Sequence, residues 1–114
     1  MTFNEFELQY VAHTVGKLCK RKSPAHLRCQ QRTVYVVEGH DVTVYEERLR
    51  WDNPQEWTNS GIAKFKYNRK QNVWKLYWMK SDLKWHVYEL LPESTRIDKL
   101  VVEVDKDPHG AFFG

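Results

Sequence analysis

Cysteine is scarce in this chain: Cys19 and Cys29 are the only two among 114 residues. That number is too small for a disulfide scaffold, and the two are not a close pair. Glycine and proline are sparse as well, at five and four, which excludes collagen-like and linker-like compositions. No apolar run approaches the roughly 20 residues a membrane helix needs. At the N-terminus Glu5 and Glu7 break any apolar stretch, so nothing there reads as a signal peptide. The expectation is a reducing cytoplasm with both thiols free. There is no phosphate-cradling glycine loop, no dinucleotide fingerprint and no nucleophile elbow. Repeats and low-complexity tracts are absent too. These gaps remove the common nucleotide-binding and hydrolase signatures.

What the chain has is aromatic content and uneven charge. Hydrophobic residues make up 41% and aromatics 14%, enough for one real core, so residues 1–114 are read as a single domain. The formal net charge is only +3. By segment, residues 1–33 carry +4, 34–60 carry −4, 61–91 carry +5 and 92–114 carry −2. A basic central segment between acidic ones attracts an anionic partner. The same lysines would also keep a half-solvated sheet soluble.

The basic segment, Gly61 to Pro92, holds three of the five tryptophans and reads as a three-stranded antiparallel meander. Side chains alternate between the two faces of a strand. One face then carries Ala63, Phe65, Tyr67, Trp74, Leu76, Trp78, Trp85 and Val87, a core face. The other carries Lys64, Lys66, Lys75, Tyr77, Lys84, His86 and Tyr88, a basic and partly aromatic surface. A turn at Ser81-Asp82 sets Trp78 opposite Trp85 and Tyr77 opposite His86; a one-residue slip would exchange the faces.

Before the meander, Thr2 and Glu5 form a capping-box pattern. Leu8, Val11, Ala12, Val15, Leu18 and Cys19 follow at helical spacing, and Ser23-Pro24 stops the helix. Arg32–Glu38 and Asp41–Trp51 read as a hairpin turning at Gly39-His40. Its buried face is open: Val34, Val36, Val42 and Val44 compete with Tyr35, Val37, Tyr45 and Leu49. Asp52–Ser60 reads as a polar loop carrying Trp57. After Pro92, which ends the sheet, Ser94 or Thr95 caps a second helix whose stripe is Ile97, Leu100, Val101 and Val104. The tail Ala111–Gly114 is apolar and packs back onto the domain. The expected fold is α+β: N-terminal helix, five-stranded antiparallel meander sheet, C-terminal helix, with both helices on one face of the sheet.

The candidate chemistry is thin. Glu46 and Glu47 are adjacent, so in a strand they point to opposite faces and cannot grip one substrate together. Glu46 and Arg48 share a face and suit an ion pair. The five histidines lack zinc-motif spacing with the cysteines. Asp105-Lys106-Asp107 echoes a calcium loop but lacks its closing glutamate. No metal and no cofactor is expected.

The runs TVYEERLRWDNPQEW, AKFKY, WKLYW, KWHVY and EVDKDPHGAFFG together resemble a bacterial family, the domain-of-unknown-function family 3024. The resemblance covers most of the chain. Leu49 stands where that family usually has proline after the arginine. It implies a small bacterial soluble domain and supplies no activity. The residues themselves favour a non-catalytic binding domain, with the lysine and tyrosine face taking nucleic acid or an acidic protein. One alternative is a small enzyme with a polar site at Glu47, Arg48, His86 and Asp105. Another is an interaction or dimerising module built on Trp51, Trp57, Phe112 and Phe113.

Overall fold

A computed structural model describes residues 3–27, 29–53 and 55–113. The chain opens with α1 (Glu5–Val11). Its capping box is made two residues later than expected: the Asn4 carboxamide oxygen accepts from the Glu7 N–H at 2.8 Å, and the Glu7 carboxylate accepts from the Asn4 N–H at 2.9 Å. Thr2 lies outside the described residues. The helix runs through a π-helical segment, Ala12–Gly16, into α2 (Lys17–Arg21). Within that segment the Thr14 hydroxyl donates to the Tyr10 carbonyl at 2.8 Å, a side-chain bond that competes with the regular ladder. Val11, Val15, Leu18 and Cys19 are buried as the spacing requires, while Leu8 and Ala12 face solvent.

Five strands form an antiparallel sheet in sequence order: β1 (Gln31–Glu38), β2 (Asp41–Leu49), β3 (Trp57–Asn68), β4 (Val73–Met79) and β5 (Trp85–Val87). A two-residue β6 (Glu93–Ser94) pairs with β4 beside β5, so the sheet continues past Pro92. β3 begins at Trp57, inside the stretch expected to be loop, because Trp57 through Ser60 pair with Leu49 through Glu46.

Turn length decides which residues share a face. Gly39-His40 is a two-residue turn with a left-handed glycine first, so odd positions of β1 pair with even positions of β2. Tyr35 faces Val44 and Val37 faces Val42. The core face of this hairpin therefore combines Val42 and Val44 with Tyr35 and Val37, half of each expected set. At the β2–β3 pair a bulge follows Val44, and both Ile62 and Ala63 are buried there, as two residues opposing one on a bulged strand allow.

The β4–β5 turn departs from expectation by one residue. Lys80 and Lys84 close it, Leu83 N–H donates to the Lys80 carbonyl at 2.9 Å, and Leu83 is left-handed with φ 63°. This is a three-residue loop ending in a left-handed position. The register becomes Tyr77 with Val87, Trp78 with His86 and Met79 with Trp85. Trp85 and Val87 thus lie on the lysine face, and His86 and Tyr88 lie on the core side, reversing the expected placement of all four.

The core forms where the helices cover one face of this sheet. α2 packs on β1, and α3 (Ile97–Lys106) packs on β3 and on the π-helical segment. Phe65, Leu76, Val42 and Val44 meet Val11, Val15 and Leu18 from the first helix and Ile97, Leu100 and Val104 from α3, all fully buried. Phe3 stacks on Trp74 at 5.5 Å between ring centroids. After Val87 the chain turns inward. The buried Tyr88 reaches α3, its hydroxyl donating to Glu103 at 2.8 Å. Asp107 ends α3 in a left-handed conformation, φ 45°. Its carboxylate accepts the N–H groups of Phe112 and Phe113 at 3.0 and 2.7 Å. The tail is thereby seated, with Phe112 against Tyr88. Among the described residues no helix is long and apolar enough to cross a membrane.

Candidate anion-binding site

The helices cover one side of the sheet, which leaves the other to solvent, as antiparallel sheets permit. The outward positions of β3 and β4 form two cross-strand pairs: Lys66 opposite Lys75 and Lys64 opposite Tyr77. These residues lie on the face expected for them. Acidic residues flank the first pair, Asp41 on β2 and Glu93 on β6.

At the tip of the β3–β4 hairpin lies a cavity of about 780 Å³. Lys66, Lys75 and Tyr77 contribute from the sheet, Arg69 and Lys70 from the four-residue loop, and His40 from the β1–β2 turn. The loop is held by the Asn68 carboxamide, which accepts the Gln71 N–H at 3.2 Å, and by Asn72 in the left-handed region. The Tyr67 N–H donates to the His40 carbonyl at 2.9 Å and locks the two turns together. Arg69 also reaches the first helix, donating to Glu7 at 3.0 Å. Its guanidinium, with the Asn4 N–H, holds the Glu7 carboxyl below its ordinary value. By contrast Lys66, Lys70 and Lys75 form no ion pair with any described residue. The cavity therefore gathers three ammonium groups without a salt bridge and two tyrosines, Tyr67 and Tyr77.

The remaining expected residues divide. Lys64 sits farther along the same face, its ammonium 5.1 Å from the Trp85 ring centroid. Lys84 is in the β4–β5 turn, at the opposite end of β4 from the cavity. His86 faces the core side and bonds the Asp82 carboxylate at 2.8 Å, which holds Asp82 below its usual range. Tyr88 is buried, and burial with the Glu103 hydrogen bond pushes its phenol up to about 12. Arg69, Lys70 and His40 join the site without having been expected. Two basic residues in a hairpin loop gave a signal, but the approach of His40 depends on the β1–β2 turn folding back beside it.

The four residues of the alternative polar site each have another partner. Glu47 pairs with Arg32 on the outer face, Arg48 with Glu46 on the core side, and Asp105 with Arg21 and Lys22. Glu47 and Arg48, adjacent in β2, point to opposite faces. Of the aromatics considered for self-association, Trp51 is exposed, Trp57 lies under the Arg32 guanidinium at 4.1 Å, and Phe112 is buried. Among the described residues no three His, Cys, Asp or Glu side chains gather as a metal site would require.

No curated protein and no solved structure matches the chain. The profile of the domain of unknown function DUF3024 matches residues 3–114, essentially the whole chain, and the chain belongs to that family.

Proposed function

We propose that this domain is a non-catalytic binding module that receives an anionic partner at the cavity between the β3–β4 hairpin tip and the β1–β2 turn. The observation that carries the reading is the convergence of Lys66, Lys70 and Lys75, none of them ion-paired to a described residue, on one concave surface. Three lysines without a salt-bridged partner outnumber the flanking Asp41 and Glu93, and such an excess raises the local potential and draws in anions. Lysines that serve only solubility need not line a common cavity. The half-exposed phenol of Tyr77 adds a hydrogen-bonding and stacking group at the wall.

The test is titration calorimetry with inorganic polyphosphate at low and at physiological ionic strength. Binding is expected at low salt and weakens as salt rises, because the lysines displace condensed counterions. Lys75→Glu and Lys66→Glu abolish it, and Lys84→Glu leaves it unchanged. Absence of binding at low salt overturns the proposal. So does an equal loss in Lys84→Glu, which would show a diffuse charge effect rather than a site.

A further inference from the structure

We infer that the anionic partner is a single-stranded nucleic acid, whose backbone enters the lysine cavity and whose bases lie on an aromatic shelf running along β4 to Trp85. The inference rests on the anion-binding reading and adds the chemistry of the ligand. Outward positions of β4 succeed one another every second residue, about 7 Å apart. From the cavity they run Lys75, Tyr77, Met79. Tyr77 is flanked by Lys64 on β3 and Val87 on β5, and Met79 by Trp85 on β5.

Trp85 is laid close over the backbone of its neighbours. A Cβ built on Gly61 would meet the Trp85 ring at 2.9 Å and the Met79 methyl at 2.9 Å. The glycine thus lets the indole sit low on the sheet, leaving it half-exposed. Lys64 reaches over it, its ammonium 5.1 Å from the ring centroid, so a base would stack on the indole by displacing a mobile ammonium onto its own phosphate. A second cavity of about 470 Å³, walled by Gly61, Met79 and Tyr45, opens past Met79. The shelf therefore lies between two concavities, one of them cationic.

This arrangement offers a single strand what an acidic peptide cannot use: two π surfaces, Tyr77 on β4 and Trp85 on β5, on the same face as Lys75 and Lys64. Every base has a π face, so aromatic platforms beside a cationic track bind single strands with little regard to sequence. Carboxylates of a peptide gain nothing from the indole face.

The experiment compares three probes on the intact chain by fluorescence anisotropy: an oligothymidylate, a sugar-phosphate strand of equal length lacking bases, and poly-glutamate. Trp emission is recorded in parallel. The oligothymidylate is expected to bind about tenfold or more tighter than the baseless strand and to quench Trp emission. Trp85→Leu should remove most of that difference while leaving the baseless strand's affinity unchanged, and Tyr77→Ala, whose phenol also lines the cavity, should weaken the oligothymidylate more than the baseless strand. If Trp85→Leu loses its native circular dichroism, Tyr77→Ala alone decides. Equal affinity for thymidylate and the baseless strand overturns the shelf and leaves the anion site standing. Tighter binding of poly-glutamate than of oligothymidylate also overturns it. Failure of all three probes at low salt removes the anion-binding reading with it.

Discussion

Gly61→Ala is the substitution that most directly tests where Trp85 lies. The new methyl would sit 2.9 Å from two atoms of the Trp85 ring and from the Met79 methyl, contacts too short to keep. The Met79 methyl ends a flexible side chain and can move aside. The indole is rigid and must lift off the sheet. Overpacking of this kind costs about 1–3 kcal/mol. Replacing glycine with alanine returns about 0.4–1 kcal/mol by restricting the unfolded chain. The net loss is therefore about 0.5–2 kcal/mol, or a fall in Tm of about 2–10 °C for a domain of this size. Trp85→Ala, at a half-exposed site, should cost about 1.5–2.5 kcal/mol, half the range for a fully buried large aromatic. The decisive measurement is the double mutant in urea unfolding. Once the indole is gone, Gly61→Ala should change sign and stabilise by about 0.4–1 kcal/mol, a coupling within the range seen for residues in contact. Gly39→Ala serves as a control. Its φ of 58° strains any side chain, yet nothing lies within 4 Å, so its cost of about 1–2 kcal/mol should not depend on Trp85. If Gly61→Ala and Trp85→Ala simply add, the indole does not lie over Gly61 and the β4–β5 register is the other one.

Asp107→Asn keeps a residue tolerant of the left-handed conformation but removes the charge that accepts the Phe112 and Phe113 N–H groups; a loss of about 1.5–3 kcal/mol in urea unfolding is expected, and no loss would mean the tail is held by its apolar contacts alone. Tyr88 has its phenol pushed up to about 12 from an ordinary value of 10, so its contribution is complete below pH 10 and is lost as pH rises from 10 through 12; Tyr88→Phe should flatten that alkaline decline, and an unchanged decline refutes the assignment. Leu83 is 77% exposed and left-handed, so Leu83→Gly relieves strain of about 1–2 kcal/mol against about 0.5–1 kcal/mol of added chain entropy; Tm should hold or rise by a few degrees, and a clear fall would reveal a packing role for the side chain.

The helices and the β3–β4 hairpin were legible because their signals are periodic and their burial one-sided. Ile97, Leu100, Val101 and Val104 are buried as the stripe demands, and β4 carries Trp74, Leu76 and Trp78 on the face read as core. The strand faces failed wherever a turn's residue count was hidden. Position 83 is left-handed and carries leucine, where glycine or asparagine would have announced a three-residue loop. The bulge at Val44 gave no warning either, since Ile62 is an ordinary strand residue. The first helix cap was misplaced because Thr2/Glu5 and Asn4/Glu7 satisfy the same pattern. In the box that forms, Glu7 also bridges to Arg69, 62 residues away, a contact that local spacing does not show.

One consequence of the shifted register bears on function. The expected surface combined lysines with His86 and Tyr88; the observed one combines them with Trp85 and Val87. The lysines did not move, because Lys64, Lys66 and Lys75 belong to the hairpin whose two faces were read as they are found. The anionic-partner reading therefore does not depend on the β4–β5 turn, while the base-stacking inference depends on it entirely. That separation has an experimental meaning. A variant with a residue deleted from the turn, restoring an even loop, would swing the indole toward the core side. Such a variant, if folded, should keep polyphosphate binding at Lys66 and Lys75 and lose its preference for strands that carry bases. Retention of that preference with Trp85 withdrawn would leave Tyr77 as the platform and remove Trp85 from the shelf.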